Sequence, residues 1–517
     1  MQYLMAIDAG TGSVRAVIFD TDGNQISVSQ QEWTHLEVDG VPNSMTFDTE
    51  KNWELTVSCI KESIKLAGLR AEEVVAVSAT SMREGIVLYD AEGRELWGVA
   101  NVDARAANEV KYLKENFEGI EEEFYALSGQ TFALGALPRI MWLKNNMPEV
   151  YEKVALISMI GDWILAKLSG VIATDPSNGG TTGIFSLEKR TWVSEMASRV
   201  GVKADIFPPV LEVGTVMGNV TNVSSGLSTQ TKVVMGGGDV QLGAAGLGVV
   251  KVGQVAVLGG SFWQQVVNID ATVTPPSDMG IRVNPHVVTG VSQAEGITFF
   301  SGLVMRWFRD AFCDMEKVEA KERKVDTYAV LEEKSSKVPV GSHGIIPIFS
   351  DAMKYGKWYH ASPSFINLSI DPKICNRASM FRALEENACL VSAINLKKIQ
   401  EFTNIDIKEI VFAGGASRGA LWSQILADVT GYKVKIPKVT EATALGAAMA
   451  AGVGAGIYAS LVEASEKLVE WDREYLPNNL NFAEYNAIEK KWLDVYEAQL
   501  MLVERGLTTS MWKAPGL

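Results

Sequence analysis

The sequence predicts a mixed α/β protein made of two domains of similar design. The opening stretch reads strand, tight turn, strand, and a helix and a further strand follow it. A weaker copy of that opening recurs about half a chain later. The 517 residues are enough for two large cores of roughly 250 residues each. Hydrophobic content of 47% with 21% charged residues is ordinary globular composition and excludes wholesale disorder.

In order along the chain, Tyr3 to Ile7 is apolar, Asp8 to Ser13 is turn chemistry, and Val14 to Phe19 is largely apolar again. Asp22-Gly23 makes a second turn before Gln25 to Ser29. A helix is expected from about Thr49, with Trp53, Val57, Ile60 and Ile64 on one face and Gly68 past its end. Val74 to Ser78 is the next strand. Three antiparallel strands followed by alternating helices and strands make a mixed fold, not a pure βαβ start. In the second half, Gly253 to Leu258 leads into Gly259-Gly260-Ser261, and Trp263 to Asn268 resumes an extended pattern. This places a boundary near Val249-Val250-Lys251, with domains 1–250 and 251–517. The charge-rich stretch Asp314 to Lys337 reads as a solvated helical insertion, and the chain after Gly456 as helices packed on the outside.

The 47 basic and 62 acidic residues give a net charge of −15, a field that repels nucleic acid and anionic lipid. Cys59, Cys313, Cys375 and Cys389 make no disulfide framework and no C-x-x-C pair, and read as buried small hydrophobes. The isolated His35, His286, His343 and His360 leave no zinc constellation. No basic start precedes the first apolar stretch, which Asp8 interrupts, so no signal peptide is expected. Ala442 to Val462 is uncharged, but it is mostly Ala and Gly and is broken by Gly452, Gly454 and Gly456. A soluble cytoplasmic protein with no nucleic-acid or membrane partner is expected.

Holding a phosphate without a metal cage needs convergent backbone N–H donors, and glycine lets the backbone come close. The chain has neither G-x-x-x-x-G-K-[ST] nor a complete G-x-G-x-x-G, which excludes a P-loop and argues against a dinucleotide fold. Three other sites remain: Gly10-Thr11-Gly12, Gly259-Gly260-Ser261 and Gly414-Gly415-Ala416-Ser417. Each alone is more readily a plain turn than a phosphate cradle. Their placement, two at hairpin tips and one between the strand Ile410–Ala413 and a helix near Leu421, suits a triphosphate held between domains. A fourth site follows the strand Val233–Met235: Gly236-Gly237-Gly238, then Asp239, then a small-residue helix from Leu242 to Gly248. Asp239 fits a helix N-cap, yet capping does not call for three glycines. The run also suits a carboxylate around which bulky groups must be kept away from ligands.

Gly415-Ala416-Ser417-Arg418-Gly419 spells the nucleophile elbow of hydrolases, but that fold needs a histidine downstream. The last histidine is His360, so the hydrolase reading fails. Ser81-Met82-Arg83-Glu84-Gly85 follows a strand, and its adjacent Arg and Glu suit either a polyhydroxy ligand or a surface ion pair. Asn101-Val102-Asp103-Ala104-Arg105 repeats that theme with the same two readings.

With these motifs in order, essentially the whole chain resembles the FGGY carbohydrate kinases. The carrying stretches are Asp8 to Arg15, Ser81 to Glu84, Asp175-Pro176-Ser177-Asn178, Gly237 to Gln241, Gly414-Gly415-Ala416 and Glu441 to Ala448. The resemblance implies two actin-like, ribonuclease-H-type domains with ATP and sugar in the cleft between them. It implies an ATP-dependent kinase in preference to a non-catalytic actin-like nucleotide-binding protein, because Asp239 is present. Asp239 becomes the base, and an unshifted carboxylate suffices for a proton lost late. Asp8, with Asp239 nearby, becomes the holder of Mg²⁺. Gly10, Thr11, Gly12, Ser13 and Arg15, and opposite them Gly259, Gly260 and Ser261, become the phosphate-binding residues. Gly414 and Gly415 pass beneath the adenosine or α-phosphate. Arg83, Glu84 and Gln241, with Asp239, become the substrate-binding set. A regulatory contact with the phosphocarrier protein HPr is also implied.

Three stretches are similar to the branch of the family acting on 4,5-dihydroxy-2,3-pentanedione: Met82 to Tyr89, Met305 to Cys313 and Gly506 to Leu517. The alternative is another small sugar such as a pentulose. Against the family pattern, Arg139 stands for a lysine, Asn367 for a glycine, Asn101 for a tryptophan and Gly260 for a threonine. A substrate-covering tyrosine of glycerol kinase falls near Ala133 or Leu134. The pocket wall therefore loses aromatic stacking surface, which points away from glycerol and ordinary pentuloses.

Overall fold

Strand β1 (Tyr3–Ala9) has Leu4, Met5, Ala6 and Ile7 all buried, as a central strand covered on both faces requires. Around it stand β2 (Ser13–Asp20), β3 (Gln25–Glu32), β4 (Val74–Ser81), β5 (Val216–Asn219) and β6 (Lys232–Gly238), in the order β5-β6-β4-β1-β2-β3. The computed structural model describes residues 2–133, 135–350 and 359–514.

The second sheet contains β7 (Val255–Gly259), β8 (Trp263–Asp270), β9 (Arg282–Pro285), β10 (Val291–Thr298), β11 (Glu409–Ala413), β12 (Lys433–Pro437) and β13 (Trp471–Tyr475). Its order is β9-β10-β8-β7-β11-β12-β13. The series β3-β2-β1-β4-β6 and β10-β8-β7-β11-β12 then coincide: two antiparallel steps followed by two parallel ones. The faint repeat in the sequence is a repeat of topology.

Helix α1 (Thr49–Ala67) starts where Asp48 accepts from the Lys51 N–H and ends at Gly68 with φ 65°. Its buried face shares Ile60 and Ile64 with the expected one and is rotated from it. Asn52, Thr56, Cys59, Ile60, Ser63 and Ile64 face inward, while Trp53 and Val57 lie at the margin. Three polar side chains on that face carry no hydrophobic signal.

Two helices tie the sheets together by exchange. Helix α2 (Asp239–Gly246) follows the last strand of the first sheet, yet its Val240 and Ala244 pack with Ala256, Val266 and Val411 of the second. Helix α3 (Ser301–Phe312) and helix α4 (Arg377–Thr403) belong to the second sheet's side, α4 covering β8 and β10. Helix α5 (Ala442–Ala455) follows β12 but packs on β1, β4 and β6. Where α2 and α5 cross, a Cβ on Gly246 would stand 1.9 Å from the Ala442 carbonyl oxygen. One on Gly446 would stand 1.9 Å from that of Leu242. Only glycine lets two backbones approach so closely.

A five-stranded sheet (Leu36–Val38, Val41–Thr46, Glu95–Val99, Ile86–Tyr89, Leu156–Met159) sits over its own core of Ile86, Leu88, Phe124 and Ile140. It fixes the turns on either side of Ile86–Tyr89 and Glu95–Val99. The stretch Asp314 to Lys337 forms two helices, Asp314–Arg323 and Thr327–Ser335, and is less solvated than its charge suggests, because Val330 and Leu331 are buried. After Gly456 the chain is not purely helical: β13 joins the second sheet antiparallel to β12. The terminal helix Asn479–Glu504 buries Tyr485, Trp492, Tyr496 and Leu500. Cys59, Cys313 and Cys389 are buried as expected, while Cys375 is only half-buried, in the turn before α4. Among the described residues no helix is long and apolar enough to cross a membrane.

Candidate active site

The end of β6 shows why three glycines precede Asp239. The register between β6 and β4 shifts between Val234 and Gly237, which drives the β6 backbone into its neighbours. A Cβ on Gly236 would lie 1.7 Å from the Ala79 carbonyl oxygen. One on Gly237 would lie 2.8 Å from Ser177 Oγ, and one on Gly238 2.8 Å from Gln241 Oε1. The glycines therefore belong to the strand and are closed in by protein on every side that matters. This corrects the expectation that they keep bulky groups away from ligands: the space that they leave is filled by protein. Ser177 Oγ accepts from the Gly238 N–H at 2.9 Å and is itself held by Asp175 Oδ2, so Asp175 to Asn178 fixes the strand end. Asp239 is the first residue of α2, with Gly238 at the N-cap position. Its Oδ1 accepts from the neighbouring Val240 N–H at 2.8 Å.

That geometry leaves the Asp239 side chain 35% exposed, so water reaches it although protein encloses most of its surroundings. Burial pushes its pKa up to about 7. Arg83, with Nε 3.8 Å from Asp239 Oδ1, opposes the rise, while Asp8 and Glu84 add to it. Asp8, at the end of β1, is raised to about 6 by burial, against the pull of Arg15 and with a push from Glu441. The expectation of an unshifted base thus does not hold: burial resists ionisation of both Asp8 and Asp239, and the charge of Asp8 adds to the rise at Asp239. Among the described residues there is no cluster of three or more His, Cys, Asp or Glu suited to a metal. A divalent cation here would meet two carboxylates, and Mg²⁺ needs only one or two besides water and phosphate oxygens.

Arg83 and Glu84 meet partners from the second half of the chain. Arg83 is buried and forms a bidentate pair with Glu295 on β10, at 2.6 and 2.9 Å. Burial opposes the Arg83 charge, and Glu295 and Glu84 outweigh it and hold the guanidinium protonated. Glu84, at φ 67°, binds Arg282 of β9 at 2.6 Å. Burial would raise its pKa, but Arg282 and Arg83 hold it below the usual carboxylate range. Gln241 is fully buried and donates to Gln293 at 3.0 Å and Glu295 at 2.9 Å. Gln130 donates to the Asn284 side chain at 2.6 Å and accepts from Arg282. The sequence picks out Arg83, Glu84 and Gln241 of this network and misses Gln130, Arg282 and Glu295. Alternation on β9 and β10 was the only available signal, and it is hidden because Asn284, Gln293 and Glu295 are all buried.

The hairpin tip between β1 and β2 is held from behind. The Gly10 carbonyl accepts from the Trp33 indole at 2.9 Å and the Gly12 carbonyl from the Trp33 N–H at 3.2 Å. The Thr11 carbonyl lies 2.7 Å from His35 Nε2. In a planar trans peptide the N–H opposes the C=O, so the N–H groups of Thr11, Gly12 and Ser13 turn away from Trp33 and His35 as a row of donors. Thr11 and Gly12 are exposed, and Thr11 Oγ1 accepts from Asn101 Nδ2 at 3.0 Å. Arg15 binds Glu441, just before α5, at 2.7 Å and so spans the hairpin and the exchanged helix. In the second hairpin Gly259 is buried against Ala416 and the Gly414 backbone, while Gly260 and Ser261 are exposed. The Gly260 N–H is used internally on the Leu258 carbonyl at 3.1 Å. Gly414 has φ 95°, and Gly415 beside it is exposed.

One further residue organises the first-half turns. Arg139, in the helix Ala136–Asn146, is buried and donates to the carbonyls of Asp103 at 3.0 Å and Asn101 at 2.7 Å, and also to that of Glu84. A lysine has one point of charge for this task, and the guanidinium has a planar fork. Arg105 pairs with Asp103 and lies between the rings of Trp97 and Trp142, 5.2 and 4.9 Å from their centroids. Ala133 is half-buried near this cluster, and Leu134 lies outside the described residues.

Comparison with known proteins agrees with this architecture. Residues 3–246 match the N-terminal domain of the FGGY family of carbohydrate kinases, and residues 272–455 match the C-terminal domain of that family. A protein named autoinducer-2 kinase from Enterobacter sp. (strain 638) is 58% identical over 521 residues, covering 100% of this chain and 98% of that protein. Proteins of the same name from Klebsiella pneumoniae and Salmonella typhimurium are 57% and 56% identical, each again covering 100% of this chain and 98% of theirs. Among solved structures, xylulose kinase from Rhodospirillum rubrum superposes with a TM-score of 0.85 at 21% identity, covering 97% of this chain and 100% of that one. Glycerol kinase from Plasmodium falciparum with ADP gives 0.83 at 17% identity, covering 96% and 98%. These structures share the actin-like pairing of ribonuclease-H-type domains found here.

Proposed function

The chain belongs to the FGGY family of carbohydrate kinases, and on that premise we propose that it transfers the γ-phosphoryl group of ATP to the primary hydroxyl of 4,5-dihydroxy-2,3-pentanedione, the autoinducer-2 precursor. The products are ADP and phospho-autoinducer-2, in the processing of a quorum-sensing signal. The relatives' shared name, at 56–58% identity over nearly their full length, supports the substrate. One structural observation supports the chemistry: a partly exposed carboxylate, Asp239, just past the end of β6, 3.8 Å from Arg83 and within the field of Asp8.

In this reading Asp239 accepts the hydroxyl proton as the oxygen bonds to phosphorus. A pKa near 7 suits the role, because a substantial share of the group is ionised at neutral pH and its carboxylate form is basic enough to take a proton. The Arg83 guanidinium, immobilised by Glu295, fixes the orientation of that carboxylate. The row of N–H groups from Thr11 to Ser13 faces the β- and γ-phosphates, with Ser261 opposite and Gly414-Gly415 under the adenosine side. Glu84, turned into the left-handed region and braced by Arg282 and Arg139, presents its turn to the acceptor's oxygens. Asp8 and Asp239 would hold Mg²⁺, which when bound neutralises phosphate charge. Closure of the cleft excludes water, which would otherwise hydrolyse ATP.

The reading assigns residues 1–250 to a substrate and first-phosphate domain and 251–517 to a nucleotide domain, each with one five-strand core. It places the enzyme in the cytoplasm. The resemblance also supports a regulatory contact with HPr, tested by co-elution of the two proteins. The deciding experiment is a coupled ADP-release assay over dihydroxypentanedione, xylulose, ribulose and glycerol. Highest kcat/KM on dihydroxypentanedione is expected. Preference for a pentulose would move the substrate assignment to another sugar.

A further inference from the structure

The C-terminal tail plays no part in the chemistry above, yet it returns to the second phosphate hairpin. The Trp512 ring stacks on Phe299, with centroids 5.1 Å apart and planes 24° apart, and lies 5.6 Å from the His360 ring. Its carbonyl accepts from the His360 N–H at 3.0 Å, Ser510 Oγ lies 3.1 Å from the same nitrogen, and Tyr359 bridges Lys513 antiparallel. The tail is thus tied down by backbone as well as by rings.

From Phe299 the contacts run to the hairpin. Its ring is 5.8 Å from Phe262, the residue after Ser261, and 5.9 Å from Phe300. Phe300 takes φ 61° and starts α3, whose Gly302 and Leu303 N–H groups both donate to the Ser261 carbonyl, at 3.1 and 3.3 Å. A Cβ on Gly302 would stand 2.2 Å from the Gly260 carbonyl oxygen, so the hairpin tip rests directly on the first turn of α3. The tip is held below by the helix terminus and at its flank by Phe262, and the tail supplies the outer layer of that flank. Gly260 and Ser261 are exposed, and their backbone is held through these two supports.

We propose that Trp512 is a positioning residue for the nucleotide: stacked on Phe299, it sets the Phe262–Ser261 corner and with it the second phosphate hairpin. The inference rests on the reading that this hairpin faces the phosphates of ATP. It makes the tail a working part of the nucleotide site.

The test measures ADP binding by calorimetry to the full chain and to four variants, with thermal unfolding of each. Trp512→Ala should weaken ADP binding about fivefold, the size expected when an aromatic stack is lost, and leave KM for dihydroxypentanedione within about twofold. Trp512→Phe should restore ADP binding. Trp512→Leu keeps the bulk without the indole and should weaken ADP binding as alanine does, which covers the case in which the alanine variant does not fold. Ser261→Asp puts a negative charge at the tip and should weaken ADP binding if the hairpin faces phosphate. Weakening by Ser261→Asp alone, with both folded Trp512 variants unchanged, overturns the inference and leaves the hairpin reading standing. No effect from any variant overturns both. Equal weakening of ADP and acceptor binding without rescue by phenylalanine also overturns the inference, since it would mark a general loss of structure.

Discussion

The two halves of the molecule run five strands in the same order and directions and then spend the strand ends differently. β1 ends on Asp8-Ala9, whereas β7 at the matching pairing positions ends on Leu258-Gly259. β4 leads into Met82-Arg83-Glu84, and its counterpart β11 leads into Gly414-Gly415-Ala416. β6 delivers Asp239, while β12 delivers Pro437-Lys438. The first half places Asp8, Arg83-Glu84 and Asp239 at its strand ends, whereas two of the three matching ends in the second half carry glycine. Topology decides where the chain turns toward the cleft, and side-chain choice decides whether that turn does chemistry or holds a ligand.

The contrast can be broken at the joint between the halves. Glu295→Ala would strand the buried Arg83 charge and should cost about 3–5 kcal/mol of unfolding free energy in denaturant titration. A loss below about 1 kcal/mol would mean that the halves do not depend on this pair. A second change makes the first half resemble the second: Asp8→Leu copies Leu258 into β1. Turnover should fall about a hundredfold or more, equivalent to about 2.7 kcal/mol of barrier. Thermal stability at pH 8 should hold or rise, because a carboxylate that resists ionisation is gone. Arg139→Met removes the fork that gathers three carbonyls and should lower stability by about 2 kcal/mol. It should raise KM for the acceptor while KM for ATP stays put, and an equal rise in both would blur the division between the halves.

A further effect is one of pH. An acid whose folded pKa is raised favours the fold below its unfolded pKa of 3.8, and that contribution is lost as pH rises through about 7. The melting temperature of the unmodified protein should therefore fall relative to that of Asp239→Asn between pH 4 and pH 8. Parallel curves would show that Asp239 is not strained in the cleft.

Much of this was legible in the residues. The hairpins and the family were readable because glycine turns and motif order are local signals. The buried face of α1 was read only in part, because Asn52, Thr56 and Ser63 beside Ile60 and Ile64 carry no hydrophobic mark. Glu295 and Arg282 were missed because they pair with residues about 200 positions away, and no local pattern encodes such a pairing. The glycine run was located correctly and explained wrongly, since the reason lies in the Ala79 carbonyl and in Ser177, both brought in by other strands and turns. The exchange of α2 and α5 between sheets is likewise a property of the assembled fold.

The account stands on Asp239 taking the proton. Steady-state turnover of Asp239→Asn, with ADP binding measured on the same sample, tests it most directly. Loss of phosphoryl transfer by three or more orders of magnitude with ADP affinity unchanged is the predicted result. Turnover within tenfold of the unmodified enzyme would contradict it.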